Sequence, residues 1–267
     1  MGVLPDGLDT AIRDTAREIA DLVLAAPGTG GPVPRSAWTF GEAAAHLGQA
    51  NRLMADLAAG EARPYGDGTP QSLAAANEVA LAAFPERSAG PLAELIHDQA
   101  LAFLDAVENA GPEAADEVVE TPLGPLDRAR LGGYLLTHML GHGYDLARAL
   151  GRRHMLDRAR VELTLPFMTT VMPRVTDPAA LAGLTARYRV RLWGGAEFGV
   201  VIADGAVAAE PGPFARPDCT VLTEPVAFLL MALGRIDPVP VMATGRALAW
   251  GRKPWLGPRF PRLFVAP

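Results

Sequence analysis

Apolar residues recur with a helical period through the first half of the chain. Over residues 7–25 they form one stripe that includes Leu8, Ile12, Ala16 and Ile19. Segments rich in glycine and proline separate this stretch from later ones with the same period. The pattern predicts further helices from near Phe40, over about 71–84, over about 92–109 and over about 127–150. We therefore expect a helical bundle over residues 1–155.

The period changes near Leu184. The stretch TARYRVRLWG alternates arginines with apolar residues, and EFGVVIADGAVAAEPG indicates a strand, an Asp-Gly turn and a second strand. CTVLTE indicates another short strand, and PVAFLLMALGR a helix. Residues 161–175 predict a helix interrupted near Pro166, within a linking segment over 156–179. The fold class is thus mainly α plus α+β, with a small α+β domain over 180–267.

Charge and composition narrow the classes of function. The chain carries 24 basic and 30 acidic residues, and a net charge of −6 does not favour nucleic acid or an anionic membrane surface. No apolar run reaches the roughly 18 residues that a membrane span needs, and the N-terminus predicts no signal peptide. Cys219 is the only cysteine, which excludes an intrachain disulfide and suits a reducing cytoplasm. Lys253 is the only lysine, as is typical of a GC-rich genome such as an actinobacterium's.

Candidate metal ligands come from three of the five histidines. His138 and His142, in THMLGHGYDLARALG, are four residues apart and share one helix face, so both can bind one ion. His46 lies in a helix among alanines and Leu47, where a polar ring needs a partner. Three imidazoles with one open position are typical of a catalytic zinc site. A chance pair, or a pair of core histidines, is the ordinary alternative.

The helix that carries His46 has a predicted start. Thr39 and Glu42 have the spacing of a capping box, in which each side chain bonds the backbone of the other residue. The helix then begins near Phe40, and His46 falls in its second turn.

Asp145 follows His142 by three residues and lies on nearly the same face. Its carboxylate can accept a ring N–H from a ligand histidine or hold a metal-bound water, which makes it a candidate catalytic residue. A surface salt bridge to Arg148 or Arg152 is the alternative. His97 and His154 are predicted to be surface residues.

The patterns W-T-F-G-E-A-A-A-H-L and H-M-L-G-H-G-Y-D-L-A-R-A-L-G resemble the mycothiol-dependent maleylpyruvate isomerase family. The resemblance covers nearly the whole chain. It implies a DinB-like four-helix bundle followed by a domain similar to sterol carrier proteins. The family's histidine of helix two matches His46, and its late-helix histidine matches His142. The position of His138 is a glutamate in the isomerase and a histidine in many DinB-like relatives; either side chain binds zinc, and the isomerase reaction itself stays open.

The resemblance also implies an arginine near the chain end that contacts substrate. Arg246, in TGRALAWG, is the best match, with Arg252 close behind, and Trp250 offers an apolar wall to the thiol. Solvated surface arginines are the alternative. Cys219 is not expected to be a nucleophile, because PDCTVL predicts the start of a buried strand.

The activity implied is that of a metal-dependent thiol transferase. A divalent metal, with zinc the first expectation and nickel and iron also suited to imidazole, would activate mycothiol or a similar small thiol. The partners would be this thiol and an electrophilic small molecule, in natural-product biosynthesis or detoxification, with the chain a monomer or homodimer. The alternatives are a maleylpyruvate-type cis–trans isomerase, a metal-dependent hydrolase and a non-catalytic lipid-binding protein.

Overall fold

A computed structural model describes residues 4–67, 69–212 and 216–265. The chain divides into two compact units, Met1–Leu156 and Asp157–Pro267. Among the described residues, no helix is both long enough and apolar enough to cross a membrane.

Four long helices build the first unit. Each packs against two others: α1 and α2 both contact α4 and α5. This ring of contacts is a four-helix bundle, and it confirms the predicted helical N-terminal domain. The helices are α1 (Leu8–Leu24), α2 (Phe40–Ala58), α4 (Ala89–Ala110) and α5 (Arg128–Ala149).

A fifth, shorter helix, α3 (Leu73–Ala83), follows the 3₁₀ turn Pro70–Ser72 and packs on α2. Only Leu73 and Leu81 of this helix are buried. α3 is therefore an addition to the bundle and contributes little to its core.

A small hairpin lies between α4 and α5. It joins β1 (Val118–Thr121) to β2 (Gly124–Asp127) in antiparallel register. The Thr121 hydroxyl donates to the Gly124 carbonyl across the turn at 2.6 Å. The last residue of β2, Asp127, then caps α5, because its carboxylate accepts from the Arg130 amide at 2.8 Å. The hairpin thus sets where α5 begins.

α1 and α5 approach closely at Gly143. A Cβ atom on Gly143 would lie 2.8 Å from the Met155 sulfur and 2.9 Å from Ile19 Cδ1, closer than van der Waals contact allows. Ile19 is fully buried, so it has little room to move. The absence of a side chain at Gly143 therefore fixes α5 against α1 immediately beside His142.

The second unit opens with α6 (Arg158–Val171), which corrects two predictions. α6 runs through Pro166 without interruption, because one proline removes one backbone hydrogen bond while the rest of the helix continues. α6 also packs against the later helix α8 (Pro225–Ala232) and the strand β5 (Ala206–Pro211), so it belongs to the second unit and is not a separate linking helix.

A five-stranded mixed sheet forms the centre of the second unit, in the order β5-β4-β3-β6-β7. β3 pairs in parallel with β6, and the other neighbours are antiparallel. Alternate residues of β3, Tyr188, Val190 and Leu192, are buried, as the alternating sequence predicted. The strands are β3 (Ala186–Leu192), β4 (Glu197–Ala203), β5 (Ala206–Pro211), β6 (Cys219–Thr223) and β7 (Ala247–Trp250).

The predicted Asp-Gly turn joins β4 to β5. Asp204 and Gly205 both have positive φ, 52° and 74°. This backbone matches the right-handed twist of the flanking strands, which is why Asp-Gly favours tight hairpins. The strand–turn–strand prediction is confirmed.

Short helices complete the second unit. α8 was predicted and α9 was not, because six residues with two prolines carry no helical period. Ala227 of α8, Val241 of α9 and Ala247 of β7 share a small buried cluster. The helices are α7 (Pro178–Leu181), α8 (Pro225–Ala232) and α9 (Pro238–Ala243), followed after β7 by a 3₁₀ segment (Pro254–Leu263).

Candidate metal centre

His46 is positioned by the start of α2, which has the predicted capping box. The Thr39 hydroxyl accepts from the Glu42 amide at 3.3 Å, and Glu42 Oε2 accepts from the Thr39 amide at 2.7 Å and from its hydroxyl at 2.8 Å. These bonds hold the pKa of Glu42 below its ordinary value, the backbone bond contributing most. His46 follows one turn later and is 5% exposed.

His138 and His142 lie on α5, one helical turn apart. Their ring centroids are 4.5 Å apart, and the ring planes are tilted by 51°. Both side chains are half-buried, and His142 is 13% exposed. The i, i+4 spacing therefore does place the two imidazoles side by side in the folded unit.

α2 brings His46 to these two rings. Its Nε2 atom lies 3.1 Å from His138 Nε2, and its ring centroid lies 4.8 Å from that of His142. Each of the three residues offers one ligand atom, and these atoms all lie within 4.8 Å of one another. The tertiary fold thus brings the three histidines together, although His46 and His138 are 92 residues apart in the chain.

This donor set fits a divalent metal ion. Zinc with Zn–N bonds of about 2.0–2.1 Å in tetrahedral geometry separates two ligand nitrogens by about 3.3 Å. The 3.1 Å between the Nε2 atoms of His46 and His138 is close to that value. Three neutral imidazoles leave the charge of the ion intact and one position open to a small molecule.

Asp145 lies beside the cluster. Its Oδ2 atom is 3.7 Å from His142 Nδ1, and its side chain is 13% exposed. This distance is longer than a hydrogen bond, but the carboxylate is on the Nδ1 side of the ring. Arg148, one of the alternative partners for Asp145, directs a guanidinium N–H to the Tyr144 hydroxyl at 3.4 Å.

Two aromatic side chains, for which the sequence patterns predicted no role, flank the histidines. The Trp38 indole lies 4.7 Å from the His46 ring and 6.2 Å from the His142 ring, measured between centroids. Tyr134 presents its ring at 82° to that of His138, 6.5 Å away. The signal for Tyr134 was present in the sequence, because it precedes His138 by one helical turn.

The remaining two histidines lie apart from the cluster. His97 Nδ1 is 3.0 Å from the exposed Asp98 carboxylate. His154 Nδ1 accepts from the Leu156 amide at 3.3 Å, and its ring contacts Tyr144. His97 therefore serves as a matched control for experiments on the cluster.

In the second unit, Arg246 is paired with Glu224. Its guanidinium donates to Glu224 Oε2 at 2.7 Å, and Glu224 caps α8 by accepting from the Val226 and Ala227 amides. Burial raises the pKa of Glu224, but the bonds from Arg246 and the two amides outweigh it and hold that pKa below its ordinary value. The Arg246 side chain stays 45% exposed. Its expected role toward substrate stays a prediction.

Arg252 and Trp250 lie at the end of β7. Arg252 pairs with the Asp218 carboxylate, which also accepts from the Arg187 amide at 3.0 Å. Burial raises the pKa of Asp218, yet its bonds to Arg252 and Arg187 lower it overall. Trp250 is 43% exposed. The proposed contacts of Arg252 and Trp250 with a thiol likewise stay predictions.

Cys219 is fully buried at the start of β6, as its sequence context predicted. Burial raises the pKa of its thiol to about 11. A buried thiol with a high pKa is a poor nucleophile at neutral pH.

Two protein families match the chain. The Mycothiol maleylpyruvate isomerase N-terminal domain matches residues 8–147, a range that includes all three clustered histidines. The SCP-2 sterol transfer family matches residues 170–248. A search of curated proteins finds no match.

Solved structures give the same picture of the fold. The mycothiol-dependent maleylpyruvate isomerase is 14% identical, with a TM-score of 0.50, and a histidine-to-alanine variant of that enzyme gives a TM-score of 0.56. Each likeness covers 93% of this chain and 95% of the other. At this identity the likeness concerns the fold alone.

Proposed function

We propose a function from the premise that the chain belongs to the mycothiol maleylpyruvate isomerase family, whose N-terminal domain matches 8–147 of its 267 residues. The chain is a metal-dependent enzyme that activates mycothiol, or a similar small thiol, for transfer to an electrophilic small molecule. The observation that carries this proposal is the cluster of His46, His138 and His142.

The three histidines are the proposed metal ligands. A bound divalent cation, zinc in the first instance, supplies a Lewis acid that lowers the pKa of a thiol at its open position. The bundle holds the rings in place from two helices, so the site does not have to be assembled when the ion binds. His46 is more buried than the other two, which directs access to the site along the His138 and His142 side.

Asp145 has the proposed role of orienting His142. Its carboxylate lies on the Nδ1 side of that ring, which leaves Nε2 as the ligand atom. A carboxylate in this position favours a proton on Nδ1 and makes the other nitrogen a better donor to a metal. Replacement of Asp145 by Asn should weaken metal binding by about 10-fold, as is usual for such partners.

The chemistry that follows divides into two reactions. In transfer, the thiol loses its proton, its sulfur forms a bond to an electrophilic carbon, and a leaving group departs from that carbon with the bonding electrons. In isomerisation, the thiolate sulfur forms a bond to one carbon of a C=C double bond as the π bond breaks, the remaining C–C single bond rotates, and the S–C bond then breaks to restore the double bond and release the thiolate, which regains its proton. Because the chain belongs to a family named for an isomerase, isomerisation is the first alternative to transfer. Consumption of thiol separates the two.

Arg246, Arg252 and Trp250 are proposed contacts for the acidic or polyhydroxylated parts of these ligands. A guanidinium binds a carboxylate through two parallel hydrogen bonds, which lysine does not reproduce. Arg246 and Trp250 keep 45% and 43% of their surface exposed, so both have room for a ligand.

Metal analysis of untagged protein tests the proposal. Wild-type protein should carry one divalent ion per chain, and His46→Ala, His138→Ala and His142→Ala should lose it. His97→Ala, a histidine outside the cluster, should retain it. Turnover with mycothiol should then depend on the metal. Full metal retention in His142→Ala would refute the site, and turnover without added thiol would favour a metal-dependent hydrolase.

A further inference from the structure

Trp38 contacts two of the three clustered histidines and is held from outside the cluster. Its indole makes ring contacts with His46 and His142 and is stacked with the second at an interplanar angle of 27°. Its Nε1–H donates to Glu78 Oε1 of α3 at 3.3 Å. A side chain that touches two candidate ligands and carries a separate tether is suited to fix their orientation.

The backbone of Trp38 is fixed as well. The Val33 amide donates to the Trp38 carbonyl at 3.0 Å, and the Trp38 amide donates to the Ser36 hydroxyl at 3.1 Å. Thr39, the capping residue of α2, follows directly. The indole therefore projects from a defined turn, and the tether at Glu78 determines where the far end of the ring lies.

α3 carries a second polar contact next to Glu78. Asn77 Oδ1 accepts from the Tyr65 hydroxyl at 2.7 Å. Burial raises the pKa of Tyr65 to about 12, so this hydroxyl is a donor at all neutral pH values. With few buried apolar residues of its own, α3 depends on such contacts for its position on the bundle.

We propose that Trp38, tethered by Glu78, is a positioning residue that holds the His46 and His142 imidazoles in their metal-binding orientation. The inference rests on the proposed metal site. An imidazole on a helix can rotate about its Cβ–Cγ bond, and that freedom is lost when an ion binds. A ring that already restricts the rotation reduces the entropy lost on binding and tightens affinity.

The test is a titration of full-length, metal-free protein with Co²⁺, which yields the dissociation constant of the ion and the change in tryptophan emission. Glu78→Ala removes the tether and Glu78→Gln retains an acceptor oxygen; Trp38→Ala removes the ring. We expect Trp38→Ala and Glu78→Ala to weaken Co²⁺ binding by about 10-fold or more, and Glu78→Gln to restore most of the affinity. Glu94→Ala, an exposed glutamate on α4, is the matched control and should bind as wild type.

Emission supplies a second readout, which reports whether Co²⁺ binds beside Trp38, while rescue by Glu78→Gln separates positioning from a general structural effect. Co²⁺ should quench part of the wild-type tryptophan emission, since Trp38 lies beside two of the ligands. Trp38→Phe should remove the part of this quenching that comes from Trp38, whereas Glu94→Ala should leave it intact. Apparent melting temperatures of the metal-free variants show whether each one is folded. Because Glu78 is exposed, its variants still test the inference if Trp38→Ala does not fold.

Wild-type affinity in both Trp38→Ala and Glu78→Ala, or quenching that is undiminished in Trp38→Phe, would overturn this inference and leave the metal site standing. Failure of the wild-type protein itself to bind Co²⁺ would overturn the proposed function and this inference together.

Discussion

The capping box at the start of α2 gives a stability prediction that the structure makes quantitative. Thr39→Ala removes the hydroxyl that accepts from the Glu42 amide and donates to its carboxylate, while the bond from the Thr39 amide to Glu42 remains possible. Loss of a Thr cap costs about 1 kcal/mol, within a range of about 0.5–2 kcal/mol. For a chain of this size we expect a decrease of about 2–4 °C in melting temperature per kcal/mol.

The same change should alter the acid dependence of stability. The folded-state pKa of Glu42 lies below its ordinary value of 4.5. Its ionised form is thus favoured by folding, and the contribution is present above the unfolded-state pKa and lost as pH falls through the folded-state value. The bond from the Thr39 hydroxyl is the second-largest cause of the shift and is lost in Thr39→Ala, so the difference in stability between wild type and this variant should shrink as pH falls through the folded-state pKa.

Thermal unfolding followed by far-ultraviolet circular dichroism measures the effect, with a chelator present so that metal binding does not contribute. Thr39→Ser keeps the hydroxyl and should lose no more than a few tenths of a kcal/mol. Glu42→Gln keeps the box but has no charge, so it should remove the acid dependence. A Thr39→Ser variant as unstable as Thr39→Ala, or a difference that does not change with pH, would refute the reasoning.

Three further predictions concern the second unit. In Gly257→Ala the new Cβ would lie 2.2 Å from Ala249 Cβ, so the free energy of unfolding measured in urea should fall by about 1–3 kcal/mol. The control Gly90→Ala on α4, where a Cβ meets open space, should be neutral or slightly stabilising, and a neutral Gly257→Ala would argue against the close packing. Asp218→Asn should lower the free energy of unfolding by about 1.5–3 kcal/mol at neutral pH, because a buried carboxylate loses its bond to Arg252. The pKa of Asp218 is lowered in the folded state, so this loss should diminish as pH falls below the ordinary pKa of 3.8, and a loss that does not change with pH would contradict the reasoning. Arg246→Lys should reduce turnover several-fold with metal content unchanged, and unaltered kinetics would remove Arg246 from the proposed substrate contacts.

Several features of the molecule were determined by the sequence itself, because they depend on residues close together in the chain. The capping box of Thr39 and Glu42 needs only a spacing of three, and the shared face of His138 and His142 a spacing of four. The Asp204-Gly205 turn follows from the tolerance of these residues for positive φ. The same local rules located the long helices and the change to a sheet near Leu184.

Only the tertiary structure decided which distant groups meet. His46 reaches His138 because α2 and α5 pack as neighbours in the bundle, and Trp38 meets Glu78 across 40 residues of chain. Local sequence patterns likewise did not predict that Arg246 pairs with Glu224, because these two residues meet only where β6 and β7 pair. Local patterns set which face of a helix or strand is apolar, whereas the choice of partner across that face depends on how the whole core packs, and no short stretch of sequence contains that information.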